Sequence, residues 1–384
     1  MTSGAVNIGP ALTALAAALR GEGPAVELSA GPDGSPVLVF PATPGIEDAA
    51  VVVRTSGSTG TPKATVLTLD ALAASSMATA VALKGEGQWL LALPVQYVAG
   101  VQVLVRSLFA GTRPWAMDLS GGFTPEAFTA AALELTDKIR FTSLVPTQLQ
   151  RLLDSPTAGT LAALRRFNGI LLGGGPVQPG LLAAARDAGV RVVTTYGSAE
   201  TCGGCVYDGV PLDGVEVRVA DDGRILLGGA TIAAGYLDAP ELSAAAFVED
   251  DGVRWYRTND LGELDADGKL TVLGRADDVV ITGGVKVSAA HVQAELEKLD
   301  GVLAAFVAGV PSAEWGQALA AYVAVVDSSP EGIRDFTAGA AWAPALGPLA
   351  PKTVLAASEL LMLPNGKPDR LAMTVRLSEL HQGK

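Results

Sequence analysis

Between Trp89 and Thr195, short apolar runs alternate with helix-length segments: Trp89–Leu93, Val98–Phe109, Arg140–Val145, Gln148–Leu153, Phe167–Leu172, Gly180–Ala188 and Arg191–Thr195. A strand–helix rhythm of this kind builds parallel or mixed sheets covered by helices. It is preceded by a short helix at 9–21, a strand near Pro36–Phe40 and a helix at Asp70–Leu83. From Gly214 onward the texture changes to short strands and tight turns: Val215–Ala220, Asp221-Asp-Gly223, Arg224–Leu227, Leu261–Leu264, Asp267-Gly268 and Leu270–Leu273. That pattern predicts a small β-barrel or hairpin array. Beyond Asp277 a smaller α+β unit follows, with a helix at about Ala289–Leu299, and the Ala/Gly/Pro stretch 337–351 reads as a loop with a broken helix. The expected fold class is α/β, with layered α/β sheets plus a small β-barrel in residues 1–276 and a smaller α+β domain in 277–384.

The chain has 384 residues, enough for two domains and a sizeable core. Its net charge of −13 opposes non-specific binding to nucleic acid or to an anionic membrane surface, because phosphate would be repelled. No apolar segment reaches membrane-spanning length, and the apolar run Ala11–Leu19 has no basic residues before it, so membrane insertion and a signal peptide are not expected. The chain has two cysteines and two histidines. Cys202 and Cys205 form a C-x-x-C pair, but His291 and His381 are far away in sequence, so no four-ligand metal set assembles locally. The pair reads as small apolar surface in a glycine-rich turn. Chemistry based on a histidine general base is disfavoured too.

The residues Thr55-Ser56-Gly57-Ser58-Thr59-Gly60-Thr-Pro-Lys63 follow the apolar run Ala50–Val53. A buried strand opening into such a loop offers backbone N–H groups and hydroxyls to an anion, with a lysine to balance charge. The spacing is not that of a Walker loop, which places four residues between its glycine and its Gly-Lys pair. Taken alone, the segment also fits a solvated linker. Four further segments point the same way. Gly173-Gly174-Gly175-Pro176 ends an apolar run where backbone can approach a flat ligand such as adenine. Tyr196-Gly197-Ser198-Ala-Glu200-Thr201 offers an aromatic face, a carboxylate for Mg²⁺ and hydroxyls for phosphate. Trp255–Asp260 places one carboxylate at an expected turn, suited to both ribose hydroxyls. Finally, Gly274-Arg275-Ala-Asp277-Asp precedes Thr282-Gly283-Gly284, and Pro364-Asn-Gly-Lys367-Pro sets a lysine on a tight loop.

In this order and spacing the segments resemble the AMP-forming acyl/aryl-CoA synthetase superfamily, over about residues 50 to 375. The resemblance implies ATP, Mg²⁺ and coenzyme A as cofactors or co-substrates. It assigns Thr55–Lys63 to the phosphate loop and Glu200 to the metal, with Thr59 or Thr201 assisting. Asp260 falls at the ribose-binding aspartate and Arg275 at its accompanying arginine. Asp277 is the hinge of a mobile C-terminal domain, Lys367 the catalytic lysine, and Gly283 and Gly284 line a thiol channel. Two departures stand out: Asn259 replaces the usual glycine before the aspartate, and Ala64 the glycine after the loop lysine. Neither removes a charged or hydroxyl group from the chemistry.

Leu93–Arg106 and Gly274–Val287 look like the o-succinylbenzoate-CoA ligases of menaquinone synthesis, especially the compact actinobacterial kind. This implies a small carboxylic acid substrate held by Tyr97, Gly173 and Arg106, a cytoplasmic enzyme, and a possible homo-oligomer. A guanidinium in an otherwise apolar helix is costly unless paired, and the second carboxylate of a dicarboxylate would pair it. A structural ion pair is the alternative for Arg106. Two other functions stay open at this stage: a module that senses AMP without chemistry, and an adenylation enzyme that loads a carrier protein.

Overall fold

The computed structural model describes residues 6–31, 35–55, 63–340, 342–363 and 368–383. Two compact units emerge from it. Residues 1–218, 226–258 and 264–270 form the first, and 219–225, 259–263 and 271–384 form the second.

The first unit carries two sheets. In one, Ala49–Thr55 pairs antiparallel with Lys63–Thr68, with Thr55 opposite Lys63. The sheet extends through Val26–Ala30 and Pro36–Val39 on one side, and through Gly235–Tyr236 on the other. The strand Lys63–Thr68 is a finding that the sequence reading lacked. It is buried at four successive positions, so it shows none of the inside–outside alternation that marks a half-buried strand. Ala49–Thr55 and Lys63–Thr68 are therefore the two arms of a hairpin. A helix, Leu69–Ala82, begins just after, with the Thr68 hydroxyl accepting from Ala71 N–H and Asp70 in its first turn.

The other sheet has seven strands. Gln88–Leu91, Arg140–Leu144, Gly169–Leu172 and Val192–Ser198 run parallel to one another, as the βα rhythm predicts. Gly203–Tyr207 then adds antiparallel to Val192–Ser198. Leu90, Phe128, Leu144, Leu149, Ile170 and Leu172 pack into a single core cluster, each burial contributing about 1.5–3 kcal/mol. Parallel strands present their carboxyl ends to one edge, where open α/β sheets collect ligands. Tyr97, Gly173 and Glu200 all lie in the segments that leave this edge.

The strands from 215 to 275 form a five-stranded sheet in the order Val215–Val219, Arg224–Gly229, Val253–Leu264, Phe247–Asp250, with Leu270–Arg275 beside Val253–Leu264. Trp255–Asp260 thus lies inside a 12-residue strand, not at a turn. In the second unit a long hairpin, Val302–Ser312 with Gly316–Val325, is flanked by Val279–Thr282, Val285–Ser288 and Thr353–Ala357. The helix Ala289–Leu296 packs Val292 and Leu296 against it. The helix Arg370–Gln382 closes the unit, capped by Asp369 and burying Met373 and Leu377. The stretch 337–351 contains more helix than expected, with Pro330–Gly339 ending in it and Trp342–Leu346 following.

Candidate active site

At the end of Val192–Ser198 the chain turns through a short 3-10 segment, Ala199–Thr201. The Thr201 hydroxyl donates to the carbonyl of Gly203 at 2.7 Å and accepts from Ser198 N–H at 2.9 Å. Thr201 is fully buried, so its hydroxyl is committed to holding the turn. This differs from the expectation that Thr201 meets phosphate: a hydroxyl proton given to a carbonyl is no longer offered to a ligand. Gly197, with φ of 155°, packs against the Gly203 carbonyl, where a Cβ would come within 2.1 Å. The turn leaves Glu200 7% exposed.

Glu200 has a partner that is not legible in the sequence. The Tyr236 hydroxyl donates to Glu200 Oε1 at 2.9 Å. Over the same ring, at 4.9 Å from its centroid, sits Lys63 Nζ. Tyr236 reaches this position because Gly235–Tyr236 pairs with the strand that begins at Lys63. Phe247 meets it edge-on at 5.3 Å, and Tyr256 lies 5.4 Å beyond Phe247. Burial and then the Glu200 carboxylate push the Tyr236 phenol far above its ordinary pKa, so it stays protonated and donates. A buried carboxylate with one oxygen tied to a phenol keeps its second oxygen for a cation, which fits the Mg²⁺ expected there. Ser56–Pro62 of the loop, including Gly57, Ser58, Thr59 and Gly60, lie outside the described residues. Their two flanks, Thr55 and Lys63, stand opposite each other across the hairpin.

Gly173 follows the neighbouring strand. A Cβ there would meet Thr195 Oγ1 at 2.3 Å, so strand packing already requires a glycine at this place. Gly174, Gly175 and Pro176 are exposed, and Tyr196 lies half-buried on the adjoining strand. These residues assemble around the end of the parallel sheet.

Tyr97 and Arg106 belong to one helix, Val98–Phe109. Tyr97 is its N-cap residue and Arg106 stands in its last turn. They are nine positions apart, roughly 13 Å along the axis, though a helical side chain leans back toward the N-terminus. Arg106 is 6% exposed, with its guanidinium 5.3 Å above the ring of Trp89. Among the described residues its Nε has no hydrogen-bond partner. It borders a cavity of about 570 Å³ also lined by Trp89, Phe141 and Met77. Between the two, Gln102 donates to the Cys202 carbonyl and to Ser75 Oγ. Cys202 and Cys205 are buried free thiols, and burial pushes the Cys205 thiol up to about 12.

In the second unit, Arg275 forms a two-bond pair with Asp277, at 2.7 and 2.8 Å, and approaches Asp260 at 3.9 Å. The Asp277 bond raises the Arg275 pKa, and Arg275 holds the Asp277 carboxyl below its usual range against the opposing effect of burial. Asp278 beside it pairs with Arg370. Gly283 and Gly284 form the turn between Val279–Thr282 and Val285–Ser288, both at positive φ. Trp315, 40% exposed, gives its carbonyl to Gly283 N–H, and Lys352 Nζ lies 5.6 Å over its ring. Lys367 lies outside the described residues, but its flank is pinned: Met362 bridges to Pro368, and Asp369 N–H donates to the Leu361 carbonyl.

A profile of AMP-binding enzymes matches residues 13–237. This chain belongs to the AMP-binding enzyme family. Among its relatives, a probable 2-succinylbenzoate–CoA ligase of Mycobacterium tuberculosis is 46% identical over 286 residues, covering 74% of this chain and 73% of the relative. The 2-succinylbenzoate–CoA ligase of Enterococcus faecalis is 32% identical, covering 72% of this chain and 60% of its own length. A solved o-succinylbenzoate CoA synthetase from Bacillus subtilis, in complex with its acyl-adenylate intermediate, superposes with a TM-score of 0.71 at 26% identity, over 85% of this chain and 69% of that one. As an AMP-binding enzyme the chain has its Lys63–Tyr236–Glu200 cluster within the matched region.

Proposed function

We propose that this enzyme ligates o-succinylbenzoate to coenzyme A through an acyl-adenylate, in the cytoplasm, as a step of menaquinone synthesis. The single observation that supports the acid's class is Arg106: a buried cation, stacked on Trp89, lacking an ion-pair partner among the described residues. A buried charge without a counter-ion costs several kcal/mol, which a substrate carboxylate would offset. Tyr97, at the other end of the same helix, would stand nearer the carboxylate that reacts.

A carboxylate resists thiol attack because oxide is a poor leaving group. In the first step its oxygen attacks the α-phosphorus of ATP and pyrophosphate leaves. Positioning and charge neutralisation supply most of the acceleration. Thr55–Gly60 and Lys63 hold the β- and γ-phosphates, Gly174–Pro176 and Tyr196 border the adenine, and Asp260, oriented by Arg275, takes the ribose hydroxyls. Glu200 would hold Mg²⁺, which when bound would supply charge neutralisation on the triphosphate. Lys367 bridges the attacking carboxylate and the α-phosphate. In the second step the CoA thiol attacks the acyl carbonyl and AMP leaves. Residues 277–384 turn about Asp277 between the steps, so that Gly283 and Gly284 line the thiol's approach. Trp315 beside Gly283, with Lys352 over its ring, would meet the far end of coenzyme A. A homo-oligomer is compatible with this scheme and is not needed for it.

AMP release with o-succinylbenzoate, ATP and CoA, against a panel of monocarboxylates, tests the proposal. Release that requires the dicarboxylate supports it. Equal release with benzoate would sink the substrate assignment, and release that needs a carrier protein instead of CoA would replace the acceptor.

A further inference from the structure

Lys63 and Glu200 carry opposite charges and touch the same side chain, yet no ion pair joins them among the described residues. In a half-buried place such a pair would ordinarily close, and a phosphate and a cation would then have to pull it apart before either could bind. What stands between them is Tyr236. Its hydroxyl occupies one oxygen of Glu200 at 2.9 Å, and its π-face receives Lys63 Nζ at 4.9 Å. The ring cannot swing aside to let them meet. Phe247 packs edge-on against it, and its backbone is tied to the strand that starts at Lys63 and to Ser243 Oγ. A phenol bonded to a carboxylate and a cation over an aromatic face are each weaker than a closed ion pair, so both charges remain ready to exchange partners.

We infer that Tyr236 is a positioning residue of the adenylation step: it fixes one oxygen of Glu200 so that the other faces the metal, and it keeps Lys63 apart from Glu200 so that the lysine is available to phosphate. This rests on the reading of Glu200 as the metal carboxylate. It assigns Tyr236 two separable tasks, one carried by the hydroxyl and one by the ring.

The two tasks predict different losses. Tyr236→Phe keeps the ring and its packing but releases Glu200. Loss of an outer partner of a metal ligand costs about ten- to a hundredfold in metal affinity. The half-saturating Mg²⁺ for pyrophosphate exchange should rise about tenfold or more. Mn²⁺ binding to the enzyme with the non-reacting ATP analogue AMPPNP, read by electron paramagnetic resonance, should weaken by the same factor. The KM for ATP at saturating Mg²⁺ should stay within about twofold. Tyr236→Leu removes the ring as well, so the KM for ATP should now rise in addition to the metal effect. Unchanged Mn²⁺ binding in Tyr236→Phe overturns the proposal. So does an equal loss of metal and ATP affinity in Tyr236→Phe, which would mark the tyrosine as scaffold. Glu200→Gln is the control for the underlying reading: if it binds Mn²⁺ as the wild type does, Glu200 is not the metal carboxylate and the inference falls with it. Thermal melts of each variant accompany the binding data, and Tyr236→Phe, which alters one buried hydroxyl, carries the test should Tyr236→Leu fail to fold.

Discussion

Two charged clusters divide the chemistry of this molecule, and they are built on opposite principles. In the first unit Glu200 is buried and bonded to the phenol of Tyr236, whose aromatic face receives Lys63. In the second, Asp260, Arg275 and Asp277 form a ladder of direct ion pairs in which each side chain is between about a quarter and a half exposed. The buried cluster keeps its charges apart by packing, so it is set before a ligand arrives. The exposed ladder neutralises its charges internally and can trade one partner for another at little cost, since exposed pairs contribute only about 0–1 kcal/mol. A rigid site suits charge stabilisation of phosphoryl transfer, and an exchangeable one suits a segment proposed to rotate.

The largest expected effect falls on the buried cluster. Glu200→Gln should lower the rate of adenylate formation by about a hundredfold or more, the usual cost of losing a preorganised charge-stabilising group. Stopped-flow measurement of pyrophosphate release checks this, and a loss under tenfold would remove Glu200 from the first step. Arg106→Ala comes next, with an expected loss of about 2–5 kcal/mol in kcat/KM for o-succinylbenzoate. It should cost little with benzoate, and Arg106→Lys should recover only part of the loss because an ammonium lacks the planar two-bond geometry. An equal fall for dicarboxylate and monocarboxylate in a folded variant would return Arg106 to the scaffold.

Salt sharpens the contrast. Raising NaCl from 0.05 to 0.5 M should shrink the effect of Asp260→Asn on the KM for ATP, since exposed charges are screened beyond a few ångströms. The effect of Tyr236→Phe should not change. Equal salt sensitivity would erase the distinction between the clusters. The smallest effect concerns acid stability. Asp277 titrates lower in the fold than in the unfolded chain, so its stabilising contribution is present above the ordinary aspartate pKa and is lost as pH falls through the folded value. Asp278 is shifted upward by burial and acts in the opposite sense, so its charged form costs stability as pH rises. Asp277→Asn should flatten the loss of thermal stability between about pH 5 and pH 3, by less than about 1 kcal/mol given its exposure. An unaltered profile would show that the Arg275 bond contributes nothing to folding.

The same contrast explains what the sequence could convey. Two members of the ladder, Arg275 and Asp277, were legible as candidates because they are neighbours in the chain, in a charged run that follows Gly274. Glu200 was legible as a candidate through the Tyr196–Thr201 segment in which it stands. Tyr236 was not, because it reaches Glu200 only through a two-strand pairing between 235–236 and 63–68, and neither strand announces itself: one has two residues and the other is buried at four positions in a row. The hairpin Val302–Val325 was missed on similar grounds, since eight consecutive buried residues in its second strand leave no alternation to read. The closing helix buries only Met373 and Leu377 along its 13 residues, too faint a stripe to be seen against the charged positions around it. The sequence reads Asp260 at a turn, whereas it lies inside the strand Val253–Leu264, and pairing with neighbouring strands holds it extended.

The central claim is that the buried cluster serves adenylate formation alone, whereas the ladder, through Asp277, also carries the turn to the second half-reaction, and Asp277→Pro tests it most directly. Proline fixes φ and removes a backbone donor, so rotation about this position should be blocked while the buried cluster is untouched. Pyrophosphate exchange with o-succinylbenzoate and thioester formation from pre-made acyl-adenylate plus CoA are measured on the same folded variant. The account predicts exchange within a few-fold of wild type and thioester formation reduced by about a hundredfold or more. Loss of both half-reactions by the same factor, or retention of both, would contradict it.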